Sequence, residues 1–146
     1  MARQSKGLEM TIAETYTFLK LPRRLEWEIR RLTYEHDELQ ASLLPSAIRY
    51  DKDVVQTSPE DAMPDVAGRV LELEKRIRDL NNRKLNTMLT ITAAIDRMTD
   101  QREAAVLTAY YIRRIPMEKV AEQIKRSREH TYRLRKNGIR HLSEIL

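Results

Sequence analysis

Leu25, Ile29, Leu32, His36, Leu39 and Leu43 follow one another at intervals of four, three, four, three and four residues. That rhythm keeps one face of a long helix turned toward a partner. Pro22 stands just ahead of the run, where its fixed φ suits a first helical turn. A shorter helix is expected before it, around Ile12, Tyr16 and Leu19. The same rhythm returns in Val66, Val70, Leu73, Ile77 and Leu80 and continues through Lys84, Met88, Ile91, Ile95 and Met98. The step from Lys84 to Met88 is a stutter, which locally unwinds any supercoil. Two such seams in one chain either close on each other as an antiparallel hairpin or pair between subunits. Trp27 and Tyr34 lie off the seam and are expected at the flank of a wider core, with a partner surface as the alternative.

Between the seams, Pro45 closes the first helix, and the polar run from Tyr50 to Asp61 reads as an extended connection. Ser58 is placed to cap the next helix with Pro59 at its first position, and Pro64 is near enough to the start to be tolerated or to delay the onset. Asp100 with Glu103 three residues on has the spacing of a capping box. It predicts a helix from Gln101 to Arg113 with Ala105, Val106, Ala109 and Tyr110 inward, and Pro116 separates that helix from the C-terminal segment. The expected protein is all-α, with a long-helix hairpin or coiled coil over 1–98, interrupted by a loop at about 45–60, that serves oligomerisation or partner binding. A small helix-turn-helix domain is expected over 99–146.

The helix-turn-helix assignment rests on spacing. Where two short helices cross, the fifth position of the first must be small, and Ala121 supplies it. Val120, Ile124 and Leu134 occupy the apolar packing positions, and Ser127 stands where its hydroxyl can accept from the free N–H groups of the second helix. Lys125 takes the turn position that usually holds glycine, so it either adopts a left-handed backbone at roughly 1 kcal/mol or uses a different turn. Thr131 stands where Val or Ile is usual, and Gly138 weakens the helix while letting a neighbour approach closely.

From Arg128 onward the pattern splits into two faces. Thr131, Leu134, Gly138 and Leu142 share the inward one, while Arg128, Glu129, Tyr132, Arg133, Lys136 and Arg140 lie mostly opposite. In a major groove the N-terminal side chains of such a helix reach base edges and longer cationic ones reach phosphates. Arg128, Glu129 and Arg133 are therefore the expected base-reading residues. Lys125, Arg126, Tyr132, Lys136 and Arg140 are the expected backbone contacts.

Charge sharpens this reading. Residues 101–146 carry 11 Lys+Arg against 5 Asp+Glu, whereas residues 1–100 carry 16 against 17, so the whole excess of +5 sits at the C-terminal end. A polyanion is the partner that such an asymmetry suits. A membrane surface is disfavoured, because the basic helix lacks the broad bulky apolar face that interfacial insertion needs. With no cysteine, three histidines and three glycines, disulfides are excluded, and neither a zinc site nor a phosphate-cradling loop is expected. His36 occupies a seam position, His130 is expected to meet DNA or solvent, and His141 lies in a cationic last turn. Acidic neighbours such as Glu72 with Glu74 are two apart and face different sides of a helix. No catalytic site and no cofactor are expected. With no apolar run near membrane-spanning length and no signal-peptide core, a cytoplasmic, nucleoid-associated protein is expected.

One combination of segments resembles a known family. Tyr50-Asp51-Lys52-Asp53, then Val55-Gln56-Thr57-Ser58-Pro59, Leu73-Glu74, Tyr111-Ile112 and the run from Ser127 to Leu134 together resemble the ArpU/RinA-type regulators of phages and prophages in Gram-positive bacteria. The likeness covers most of residues 15–146. Its C-terminal part is similar to region 4 of the primary sigma factor family, where a Ser-Arg-Glu run opens the recognition helix. The resemblance implies a transcription regulator, often an activator of late phage genes, with Arg128, Glu129 and Arg133 at base-reading positions and Tyr132 against the backbone. The implied partners are double-stranded DNA and, through the N-terminal half, RNA polymerase or a second copy of the chain. A small-terminase-like packaging protein and a structural coiled-coil adaptor are the alternatives.

Overall fold

The computed structural model describes the backbone of residues 10–44 and 59–146 and the side chains of residues 10–44 and 64–146. Most of the expected loop at 45–60, with Pro45, the Tyr50 to Asp53 run and the Ser58 cap, lies outside those residues. Among the described residues there are five α-helices and one π-helical turn, and no strand. In chain order they are α1 (Ile12–Ser42), α2 (Pro59–Asp96), α3 (Gln101–Leu107), the π-turn (Thr108–Ile112), α4 (Met117–Ile124) and α5 (Arg128–Ile145).

Helix α1 is a single helix of 31 residues where two were expected, with Pro22 inside it. An interior proline removes one backbone hydrogen bond and crowds the carbonyl four residues back, at about 3 kcal/mol. Pro22, Leu19 and Leu25 are all buried, so apolar packing on both sides of the proline offsets that cost and carries the helix through. Thr11 starts α1, its hydroxyl accepting from the backbone N–H of Glu14 at 3.1 Å. Helix α2 begins at Pro59 and keeps Pro64 within its first two turns, so the second proline is tolerated there and does not delay the onset.

The chain packs as two compact units, Met1–Pro22 with Leu85–Leu146, and Arg23–Lys84. Both divisions fall inside the long helices, one at Pro22 and one at the Lys84 stutter, and do not coincide with the 98/99 boundary expected from the pattern.

In the Arg23–Lys84 unit the seams meet as an antiparallel hairpin. Leu25, Leu32, Val70 and Leu73 are buried. Arg69 grips Glu35 through two nitrogens at 2.7 and 3.1 Å, and Arg76 reaches Glu28 at 3.0 Å. As one member of each pair moves up in number the other moves down, which is the signature of antiparallel helices. The Arg69 guanidinium holds the Glu35 carboxyl below its usual range. His36 fills a seam position as expected, but as a polar bridge. Its Nε2 lies 3.0 Å from Glu74 Oε1 and its Nδ1 3.1 Å from Asp37 Oδ1, and these bonds, that to Glu74 first, push its pKa up.

The other unit holds the helix-turn-helix. Leu19, Ile91, Ala94, Ile95 and Met98 from the ends of α1 and α2 join Ala104 and Leu107 of α3 and Ile139 and Leu142 of α5 in one core. A second cluster of Val106, Ala109, Met117, Val120 and Leu134 lies under α4 and the first half of α5. Asp100 caps α3, Oδ1 accepting from the N–H groups of Arg102 at 2.9 Å and Glu103 at 3.1 Å. The return bond of a capping box is replaced. Glu103 is only 4% exposed and its carboxylate meets His141 Nδ1 at 2.6 Å instead, linking α3 to α5.

The expected helix to Arg113 gives way to the π-turn at Thr108. Ala105, expected inward, is exposed, while Glu103, Ala104, Val106, Leu107 and Ala109 are buried. Contact with Gly138 selects that face. A Cβ at Gly138 would lie 3.2 Å from Leu107 Cδ1 and 3.3 Å from Glu103 Cβ, so the missing side chain is what lets α3 come this close to α5.

Candidate nucleic-acid interface

Helices α4 and α5 are joined through Lys125, Arg126 and Ser127, and each residue has a physical task there. Lys125 adopts the left-handed conformation, φ 56° and ψ 46°, at the end of α4. Its own N–H bonds to the Glu122 carbonyl at 3.2 Å, and the N–H of Arg126 bonds to the Ala121 carbonyl at 3.1 Å. These bonds satisfy carbonyls that the helix end would leave open, which offsets the strain of a lysine at positive φ. Ser127 is extended, and its hydroxyl accepts from the N–H of His130 at 3.1 Å, starting α5.

The crossing of α4 and α5 follows the expected spacing. Ala121 and Val120 are buried, Leu134 is buried, and Ile124 packs partly buried against the same cluster. Thr131 is fully buried where an aliphatic residue was expected. Its hydroxyl donates to the Ser127 carbonyl at 2.8 Å, so the polar atom carries no desolvation penalty and the methyl faces the core.

All eight expected contact residues are exposed: Lys125, Arg126, Arg128, Glu129, Tyr132, Arg133, Lys136 and Arg140. Thr131, Leu134, Gly138 and Leu142 are buried, as the two-face reading requires. The structure also limits that face. Ile139 and Ser143 are buried beside Gly138 and Leu142, so the second half of α5 is held on two sides and the open cationic surface is concentrated from Lys125 to Lys136. Residues 125–140 contain seven Lys+Arg against one acid, Glu129. Glu129 sits in the first turn of α5, where a carboxylate is stabilised by the helix N-terminus.

Several side chains on this face are already organised. Arg128 lies 3.8 Å from Glu118 across the turn, and its guanidinium carbon is 5.7 Å from the centre of the Tyr132 ring. Both members of the ion pair are largely exposed, so the pair is weak and easily exchanged for a ligand anion. Arg135, which the two-face pattern did not single out, lies 4.9 Å from the Tyr110 ring and 5.0 Å from the Tyr132 ring. It thereby connects the π-turn to the exposed Tyr132 and holds that ring in place. The i, i+3 spacing of Tyr132 and Arg135 was present in the sequence. The contribution of Tyr110 was not, because it depends on the π-turn.

The π-turn places its aromatics differently from the expected helix. Tyr110 meets Tyr111 edge-on at 4.8 Å, and Tyr111 packs with Ile112 against the larger core. Burial pushes the Tyr111 phenol up to about 12, against the opposing pull of Arg135, so it stays neutral. His130, expected to meet DNA or solvent, has its Nε2 buried with no partner among the described residues. The residue as a whole is half-buried, between the exposed Glu129 and the buried Thr131.

Comparisons with protein-family models, with curated proteins and with solved structures find no match to this chain. Among the described residues no helix is long and apolar enough to cross a membrane, and no group of three His, Cys, Asp or Glu side chains is placed to share a metal ion.

Proposed function

We propose that this protein binds double-stranded DNA in a sequence-specific way and regulates transcription. The observation that carries the reading is the open face from Lys125 to Lys136, cationic but for Glu129, on a helix whose other face is locked by Thr131, Leu134 and Gly138. Arg128, Glu129 and Arg133 read bases, with arginine donating to guanine and the carboxylate accepting from cytosine. Lys125, Arg126, Tyr132, Lys136 and Arg140 hold the phosphate backbone and set the register. The resemblance to ArpU/RinA-type regulators and to sigma factor region 4 supports the narrower form of the proposal, a phage or prophage activator of late genes working in the cytoplasm of a bacterial host at the nucleoid. In that form the long helices touch RNA polymerase or a second copy of the chain.

Selection of bound fragments from random and genomic duplex DNA by the full chain tests the proposal. The expected result is one enriched motif, bound with an affinity that falls linearly with the logarithm of salt concentration, because several phosphates are neutralised. Recovery of no motif, or binding indifferent to salt, would remove it.

A further inference from the structure

Helix α1 exposes a second cationic surface, within the Arg23–Lys84 unit, that the duplex reading does not use. Arg23, Trp27, Arg30 and Tyr34 succeed one another in steps of four, three and four residues, with Arg24 and Arg31 beside them, so all six lie on one side of the helix. The opposite side carries the buried seam residues Leu25 and Leu32. Trp27 is 63% exposed and Tyr34 72%, which overturns the expectation that they flank a core. These two large aromatics stand open on the same side of a helix whose own seam is buried elsewhere. Arg30 lies 5.7 Å from the Trp27 ring and is tethered to Glu26 at 3.3 Å, so the tryptophan is presented together with a positioned guanidinium.

We infer that this face of α1 docks into an apolar groove with an acidic rim on another protein. Three observations select that occupant. Tryptophan, tyrosine and arginine are the residue types that dominate protein–protein binding energy, and the six-residue face consists of nothing else. Trp27, Arg30, Arg31 and Tyr34 have the i, i+3, i+4, i+7 spacing by which a helix anchors in a groove. The four arginines ask for carboxylates opposite and repel a copy of themselves, so this face does not pair with its twin. Flanking carboxylates argue against an extended polyanion. Glu26 and Asp37 border the stripe on one side and Glu28 and Glu35 on the other, each paired with a cation of the chain (Arg30, His36, Arg76 and Arg69), so the positive charge is bounded on both sides and does not continue as the charge of a phosphate backbone does. The inference does not depend on the duplex-binding proposal.

The test uses the full chain with benzoylphenylalanine in place of Trp27 or of Tyr34, photolysed in the organism that encodes it, and the adduct mapped to its peptide. The expected adduct is with a different protein, at an apolar site bordered by Asp and Glu, and it is lost when Arg30→Glu and Arg31→Glu are added. Titration of the unmodified chain with the protein so identified should shift the emission of Trp27, the only tryptophan, to the blue, and Tyr34→Ala should weaken that binding at least tenfold. A nuclease-sensitive adduct, an adduct with a second copy, a mapped site without carboxylates, or no adduct would overturn the inference. Duplex affinity measured on the same preparations separates the two proposals. Unchanged DNA binding without an adduct removes the docking face alone, and an adduct without DNA binding removes the regulator reading alone.

Discussion

Two helices of this protein show arginine-rich faces to solvent, and they are built differently. On α5 and the turn before it the cations run from Lys125 to Lys136 with Glu129 as the single acid, and the aromatic among them, Tyr132, is held between Arg128 and Arg135. On α1 the cations alternate with the open rings of Trp27 and Tyr34 and lie between rows of carboxylates. A face of nearly uniform sign suits an extended polyanion, whose charge continues in both directions. A narrow stripe with aromatic anchors suits a bounded groove. Counting arginines would equate the two surfaces. What separates them is the placement of the acids and the freedom of the aromatics.

The largest effect that bears on this contrast comes from the support of α5. Leu142 is fully buried in the core beneath the second half of that helix. Leu142→Ala should cost about 2–5 kcal/mol, read from the midpoint and slope of urea unfolding, and duplex affinity should fall with it. Affinity that survived such a loss would mean that the cationic residues act without their folded frame.

Next in size are the contacts on the α5 face. Arg133→Ala should cost about 1–3 kcal/mol at one base position and relax specificity there, whereas Lys136→Ala should weaken all sequences alike and lower the salt slope by about one. Competition binding against single-base variants of the selected site separates them. Equal losses on specific and random duplex for both variants would merge the two roles.

A smaller gain is expected at the turn. Lys125 holds φ 56°, and Lys125→Gly should raise the melting stability by up to about 1 kcal/mol while removing one cation from the face. A melting temperature that fell instead would show that the lysine side chain contributes more than its backbone strain costs.

The smallest effect belongs to the hairpin and is a pH dependence. The bonds to Glu74 and Asp37 raise the pKa of His36, so the folded state favours the protonated ring. That contribution is complete below about pH 6.5, the unfolded value, and disappears as the pH rises through the higher folded value. The stability difference between the native chain and His36→Gln should therefore be largest below about pH 6.5 and shrink as the pH rises through the raised folded pKa, by denaturant unfolding at each pH. A difference that stayed constant would remove the charged bridge.

Much of the fold was legible in the sequence because helices repeat locally. Spacing alone indicated the seams, the Ser127 cap, the small residue at Ala121 and the two faces of α5, since each depends on contacts within a few residues or on a fixed helical period. The continuity of α1 through Pro22 was not legible. Local propensity argues for a break there, and burial of Leu19, Pro22 and Leu25 overrides it. The π-turn, the pairing of Glu103 with His141, the burial of His130 Nε2 and the place of Arg135 between Tyr110 and Tyr132 were hidden for the same reason.

By itself, then, the sequence determined the helical period, which side of each helix is apolar and where the positive charge accumulates. Tertiary structure decided which exposed residues are held and which stay open. It closed α3 onto α5 through the missing side chain of Gly138, and it left Trp27 and Tyr34 in solvent although both are aromatic. Periodicity depends on the turn of a single helix, whereas burial depends on what another part of the chain brings against it.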